Sequence, residues 1–141
     1  MLQILSSLNL VTRLDLEADS WTLLSGVTGT WVALGGSDDV AKPAAGVFAL
    51  PIWSESNRDG SAGFSPDIHS TGNVTVIYGN FRGVTDQFVA TPTVGQALYT
   101  DATGKLSATA GAGVVVARCT KPSHTTTYLG QSFTAIEFVT V

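Results

Sequence analysis

The sequence is short of charge. Seven Lys and Arg and eleven Asp and Glu in 141 residues make a charged fraction of 13%, where an ordinary soluble domain carries roughly 25%. The cations, Arg13, Lys42, Arg58, Arg82, Lys105, Arg118 and Lys121, are scattered singly. Counterion release on nucleic acid needs clustered Lys and Arg, so no direct nucleic-acid partner is expected. Cysteine is nearly absent: Cys119 alone excludes an intrachain disulfide framework and gives no zinc cluster. Long apolar runs are missing too, and nothing approaching 18 residues offers a membrane span. The opening MLQILSSLNLVTRLDL has no basic segment ahead of its apolar run, and Asn9 and Arg13 interrupt that run too soon for a signal peptide. Synthesis in a reducing cytoplasm is the expectation.

What is present points to one folded domain. A chain of this length buries about 70% of its unfolded surface, enough for a core without disulfides or metal. With 44% hydrophobic residues and a net charge of -4, disorder is not the reason for the low charge. Gly, Ser and Thr, by contrast, fill 46 of the 141 positions. A folded surface with few charges has little to hold other proteins away. The composition suits a subunit that is packed in an assembly.

The first 16 residues read two ways. Leu2, Leu5 and Leu8 recur every three residues, as on one side of a short helix, while Leu10, Thr12, Leu14 and Leu16 alternate as in a strand. Residues 1–16 are therefore an N-terminal arm that pairs with another subunit, or an ordinary first strand. Residues 17–141 form the β-rich domain. Trp31 to Leu34, Val47 to Trp53 and Asn73 to Tyr78 read as strands, with Pro51 at an edge or bulge. Residues 54–72 are a long polar loop, and loops of that length are usually functional. Phe81 to Ala90 holds one or two short strands. Val94 to Tyr99 and Leu106 to Thr109 form a hairpin around Asp101-Ala102-Thr103-Gly104, with Gly104 in the left-handed conformation. Val114 to Cys119, a turn at Lys121-Pro122-Ser123, and a closing strand from Phe133 to Val141 complete the chain. The fold class is all-β, a sandwich or small barrel of short antiparallel strands.

No catalytic constellation stands out. Cys119 and His124 lie five residues apart across the expected turn, but nothing nearby lowers the thiol pKa, and a buried strand cysteine is the plainer reading. There is no Gly-x-Ser-x-Gly elbow. Gly111-Ala112-Gly113 opens like a dinucleotide fingerprint but leads into β-branched residues where a helix is required. Glu55, Asp59, Asp67 and His69 share the polar loop without the spacing of a metal site, so a solvated loop is expected and no metal or cofactor. Trp21, Trp31 and Trp53 are the candidates for a sugar platform. Trp31 reads as core, and Trp53, directly before the loop, is the one to expect in contact with a ligand or a neighbour.

The segment from Pro92 to Cys119 carries three pieces in order: Val94-Gly95-Gln96-Ala97-Leu98-Tyr99, then Asp101-Ala102-Thr103-Gly104-Lys105-Leu106, then Gly113-Val114-Val115-Val116-Ala117-Arg118. In this the chain resembles the head decoration, or capsid cement, proteins of tailed bacteriophages. The resemblance covers under a quarter of the length. It implies a β-barrel or β-tulip on the outside of an icosahedral shell, a homotrimer bound to the major capsid protein, and no catalysis. It places the protein on the virion exterior after synthesis in the host cytoplasm. The 54–72 loop and the leucine-bearing start depart from the pattern. The rival readings are a tail or baseplate β-module and, from a different class, a carbohydrate-binding module that needs Trp53 exposed. Ranked by exposure and apolar character, the interface residues expected are Leu2, Ile4, Leu5, Leu8, Leu10, Trp53 and Phe64. On the arm reading, deleting residues 1–16 leaves a folded domain that no longer loads onto shells.

Overall fold

The computed structural model describes residues 1–7, 12–18, 29–34, 39–40, 43–52, 73–109 and 113–141. Within them the chain is all-β, with no helix. The strands are β1 (Leu2–Ser7), β2 (Thr12–Ala18), β3 (Trp31–Ala33), β4 (Asp39–Val40), β5 (Ala49–Pro51), β6 (Asn73–Tyr78), β7 (Phe81–Thr85), β8 (Phe88–Val89), β9 (Ala97–Thr100), β10 (Leu106–Ser107), β11 (Ala117–Tyr128) and β12 (Gln131–Thr140). Seven of them form a sheet in the order β1-β7-β12-β11-β9-β10-β8. It is mixed, because β8 and β10 run parallel while the other pairs are antiparallel. It ends in two edges and does not close, so the small barrel among the expected architectures is not formed. A three-stranded sheet (β4-β2-β6) and a two-stranded one (β3-β5) are tied together by an Ile52–Val76 bridge.

Two hairpins set the registers. In the β9–β10 turn, the Asp101 carboxylate accepts from the Thr103 and Lys105 amides at 2.8 and 2.9 Å. Gly104 follows at φ 79°, as the Asp-to-Gly spacing predicts. The β11–β12 hairpin corrects the sequence reading. No turn forms at Lys121-Pro122-Ser123; β11 continues through these residues and pairs with β12 as far as Tyr128 opposite Gln131. The register slips between Lys121 and His124, so Pro122 falls in an irregularity where its missing N–H costs no ladder bond. The true turn is Leu129-Gly130, with both residues at positive φ (49° and 78°).

The core lies between the inner face of the large sheet and strands β3, β5 and β6. Leu2, Phe81, Leu98, Leu106, Cys119, Ile136 and Phe138 meet Trp31, Ala49 and Ile77, all nearly or fully buried. Phe138 is the hub, with the rings of Trp31 and Phe81 edge-on to it at 5.8 and 5.7 Å. Its neighbour across the ladder is Gly83, where a Cβ would lie 2.8 Å from the Phe138 ring. Glycine is there because the ring occupies the space of a side chain. A second cluster of Met1, Val84 and Ala135 gathers half-buried Tyr128 and Phe133. The Met1 ammonium pairs with Asp86 at 2.5 Å, and the Met1 carbonyl accepts from the Thr85 hydroxyl at 2.8 Å.

Residues 2–7 are a sheet strand here, not the short helix that the leucine spacing also allowed. β1 pairs with β7, and Leu2 is fully buried. Deleting residues 1–16 would therefore cut into both sheet and core, and loss of folding replaces the expectation of an intact domain. Leu2→Ala should cost about 2–5 kcal/mol in urea unfolding, while Leu5→Ala, at an exposed position of the same strand, should stay within about 0.5 kcal/mol. Equal losses would contradict this placement of β1. Gly83→Ala should lose about 1–3 kcal/mol by overpacking, and a neutral result would mean that the Phe138 ring has room to move.

Candidate functional site

Two features lie outside the core, at different places along the β11–β12 hairpin. The first is an open cleft of about 630 Å³ where β12 ends, its side chains mostly apolar but with Asn80 and Thr140 among them. Buried Trp31 and Phe81 line it, and exposed side chains surround them: Phe48 (46%), Tyr78 (48%), Val114 (45%) and Val141 (61%). Among the described residues, no charged side chain lines it. Exposed large hydrophobics scattered singly need no explanation; here four gather around one hollow.

Backbone contacts hold the cleft open. The Val114 amide donates to the Gly46 carbonyl at 2.8 Å, and the Val116 amide to Leu98 at 2.9 Å. A Cβ on Gly113 would lie 2.5 Å from the Gly46 Cα, so this approach needs glycine. It also explains why Val114 and Val115, expected in a strand, precede β11 and can rim the cleft. On the far side the Thr140 hydroxyl donates to Gly79 O and accepts from the Phe81 amide, both at 2.9 Å. Trp31 Nε1 is buried with no hydrogen-bond partner among the described residues.

The second feature is an ion cluster on Glu137, the only charged residue of β12, which is 8% exposed. Arg82 of β7 donates to its carboxylate, Lys121 Nζ lies 3.4 Å from it and His124 Nε2 3.6 Å. The slips in β11 between Cys119 and Lys121, and between Lys121 and His124, bring both β11 groups to the same carboxylate. His124 Nδ1 is 3.0 Å from the Pro122 carbonyl, which can only accept, so Nδ1 carries the hydrogen and Nε2 faces Glu137. Burial alone would raise the Glu137 pKa. The Arg82 hydrogen bond and charge, with those of Lys121, outweigh it and hold the carboxyl below its usual range. Such a carboxylate has no proton to give and is a poor base. It ties three neighbouring strands together.

Cys119 and His124 do not form a pair. They share one strand, Cys119 opposite Phe138 in the core and His124 opposite Ala135. Burial pushes the thiol pKa up, against a smaller lowering by a backbone hydrogen bond at Lys121, so the thiol is inert. Of the expected interface residues, Leu2 is in the core, Ile4 packs half-buried against it and Leu5 is exposed. Leu8, Leu10, Trp53 and Phe64 lie outside the described residues, as do Trp21, Glu55, Asp59, Asp67 and His69. Sequence reasoning missed the cleft. Phe48, Tyr78, Val114 and Val141 are far apart in the chain, and each reads as an ordinary strand residue. The Glu137 cluster had a signal, one carboxylate in an otherwise uncharged closing strand. No family model, curated protein or solved structure matches the chain.

A carboxyl whose folded pKa lies below its unfolded value adds stability that is present above the unfolded pKa and lost as pH falls through the folded one. Urea stability should therefore decline as pH drops below about 4.3, and Glu137→Gln should flatten part of that decline while costing about 1–3 kcal/mol at neutral pH. An unchanged acid slope in Glu137→Gln would contradict the assignment.

Proposed function

We propose that the chain is a non-enzymatic structural protein of a tailed-bacteriophage head, binding the outside of the icosahedral shell and bridging major capsid subunits. The observation that carries the reading is the cleft with its four exposed hydrophobic residues and, among the described residues, no charged side chain, on a chain with little charge to keep neighbours away. The segment behind the resemblance adds support. Gly-Gln-Ala-Leu-Tyr leads into β9, the tight turn at Asp101–Gly104 returns the chain as β10, and the valine segment docks on Leu98 before becoming β11. The open sheet is not the barrel that the resemblance implies, so within the all-β class the fold that goes with this reading is a β-tulip or a sandwich.

The physical task is to oppose separation of the shell subunits. A protein that binds only the assembled shell stabilises it by mass action, and many copies on a lattice need only a modest interface each. A homotrimer on the virion exterior, with the major capsid protein as partner, suits that task. Purified protein mixed with shells stripped of it should co-sediment saturably and raise the temperature at which they come apart. Phe48→Asp, a change at an exposed position, should leave the fold intact and weaken loading by tenfold or more. Shells that take up no protein, or are no harder to disrupt once loaded, would overturn the proposal. Glycan binding by the same preparation would favour the carbohydrate-binding alternative.

A further inference from the structure

We propose that the outer face of the large sheet, the side turned away from the core, docks an acidic segment of a partner protein. The cations are scattered singly in the sequence, but the strand register gathers three of them. Val139 of β12 lies opposite Arg82 on β7 and Arg118 on β11, and Glu137, two residues earlier, lies opposite Lys121. Residues opposite one another, or two apart on one strand, share a face. Phe138, between Val139 and Glu137, belongs to the core on the other side. Arg82, Arg118 and Lys121 therefore stand on one face. The first two are two strand spacings, about 10 Å, apart.

The face is positive on an acidic chain. Together β7, β11 and β12 carry these three cations and one carboxylate, Glu137, an excess of two positive charges with His124 neutral. The net charge is -4, so the other residues together carry -6. Asp86, just past β7, is taken up by the Met1 ammonium. Depth sharpens the sign. The Glu137 side chain is 11% exposed, against 49% for Arg82 and 51% for Lys121. The carboxylate holds both cations from below, so an arriving partner meets their charge first. Arg118 is exposed as well, and its Nη1 donates to the Gly95 carbonyl at 3.1 Å. A guanidinium has five donors, and this bond uses one.

This arrangement fits carboxylates presented by a protein. Cations that are already oriented lose less freedom on binding, and a planar guanidinium meets a carboxylate with two parallel bonds. Along an extended segment, side chains on one side recur about every 7 Å, so a few Asp or Glu can reach all three cations. Nucleic acid is the poorer match. Its charges continue along the whole strand, past the three cations and over a chain that is otherwise negative. A short acidic segment can stay within the face. The cleft is a separate surface, lined by Phe81 and Thr140 from the core side of the same strands. The inference does not rest on the capsid reading.

Fluorescence anisotropy of a labelled oligoglutamate peptide tests this without a shell. The wild type, although acidic overall, should bind the peptide at about 10 mM salt, where the Debye length is about 30 Å, and release it at about 1 M, where it is about 3 Å. Arg118→Glu leaves the Glu137 contacts in place and should weaken binding about fivefold or more with an unchanged melting temperature. Lys121→Gln should weaken it as well. Lys105→Glu makes the same change in net charge in the β9–β10 turn and should bind as the wild type does. A wild type that binds no peptide, or equal losses in Lys105→Glu and Arg118→Glu, would overturn the inference. So would tighter binding of a labelled single-stranded DNA of equal charge, or self-association at low salt that Arg118→Glu abolishes, since the occupant would then be nucleic acid or a second copy.

Discussion

The contact on which the structure depends is the Phe138 ring lying over Gly83. It fills space that any other residue at 83 would claim, and it brings the edges of Trp31 and Phe81 into one aromatic cluster. Through it β12, β7 and β3 share a centre, and the other end of the long hairpin packs through Tyr128 and Phe133 on the Met1, Val84 and Ala135 cluster. Leu2 and Ile136 close the same layer, and β1 belongs to the core for that reason. Burial of this kind supplies most of the stability of a small domain with no disulfide.

Charge plays the complementary part. With so few ionic groups, the chain spends several of them on one carboxylate inside the sheet, at Glu137. The slipped register of β11 that brings Lys121 and His124 there also accommodates Pro122. One irregularity thus solves two problems: it passes a proline through β11 and gathers an ion cluster. The cleft, by contrast, has no charged side chain among the described residues. Ionic contacts register the strands around Glu137.

Local grammar was legible in the sequence. The all-β class, the β6 strand at Asn73–Tyr78 and the Asp101–Gly104 turn follow from β-branched content and from one Asp–Gly spacing, and Trp31 was correctly read as core. Pro122 misled, because a proline flanked by Lys and Ser signals a turn unless a bulge absorbs it. Leu129-Gly130 gave too little warning, because leucine is a poor predictor of a left-handed turn position. The cleft was illegible for a different reason. Its lining comes from β3, β5, the β6–β7 turn, residues 114–116 and the end of β12, so only the tertiary fold assembles it. Leu2 looked like a surface anchor because the three-residue leucine spacing says nothing about which sheet will receive it.

In the proposed role, a charge-poor β-domain with exposed hydrophobic residues around one cleft serves as a coat on a shell. The most direct measurement of that claim is the number of copies of this chain per major capsid protein in purified particles, by quantitative mass spectrometry. The account predicts a ratio near one, a coat covering the shell. A handful of copies would place the chain in the tail or at a vertex, and its absence from the particles would contradict the account altogether.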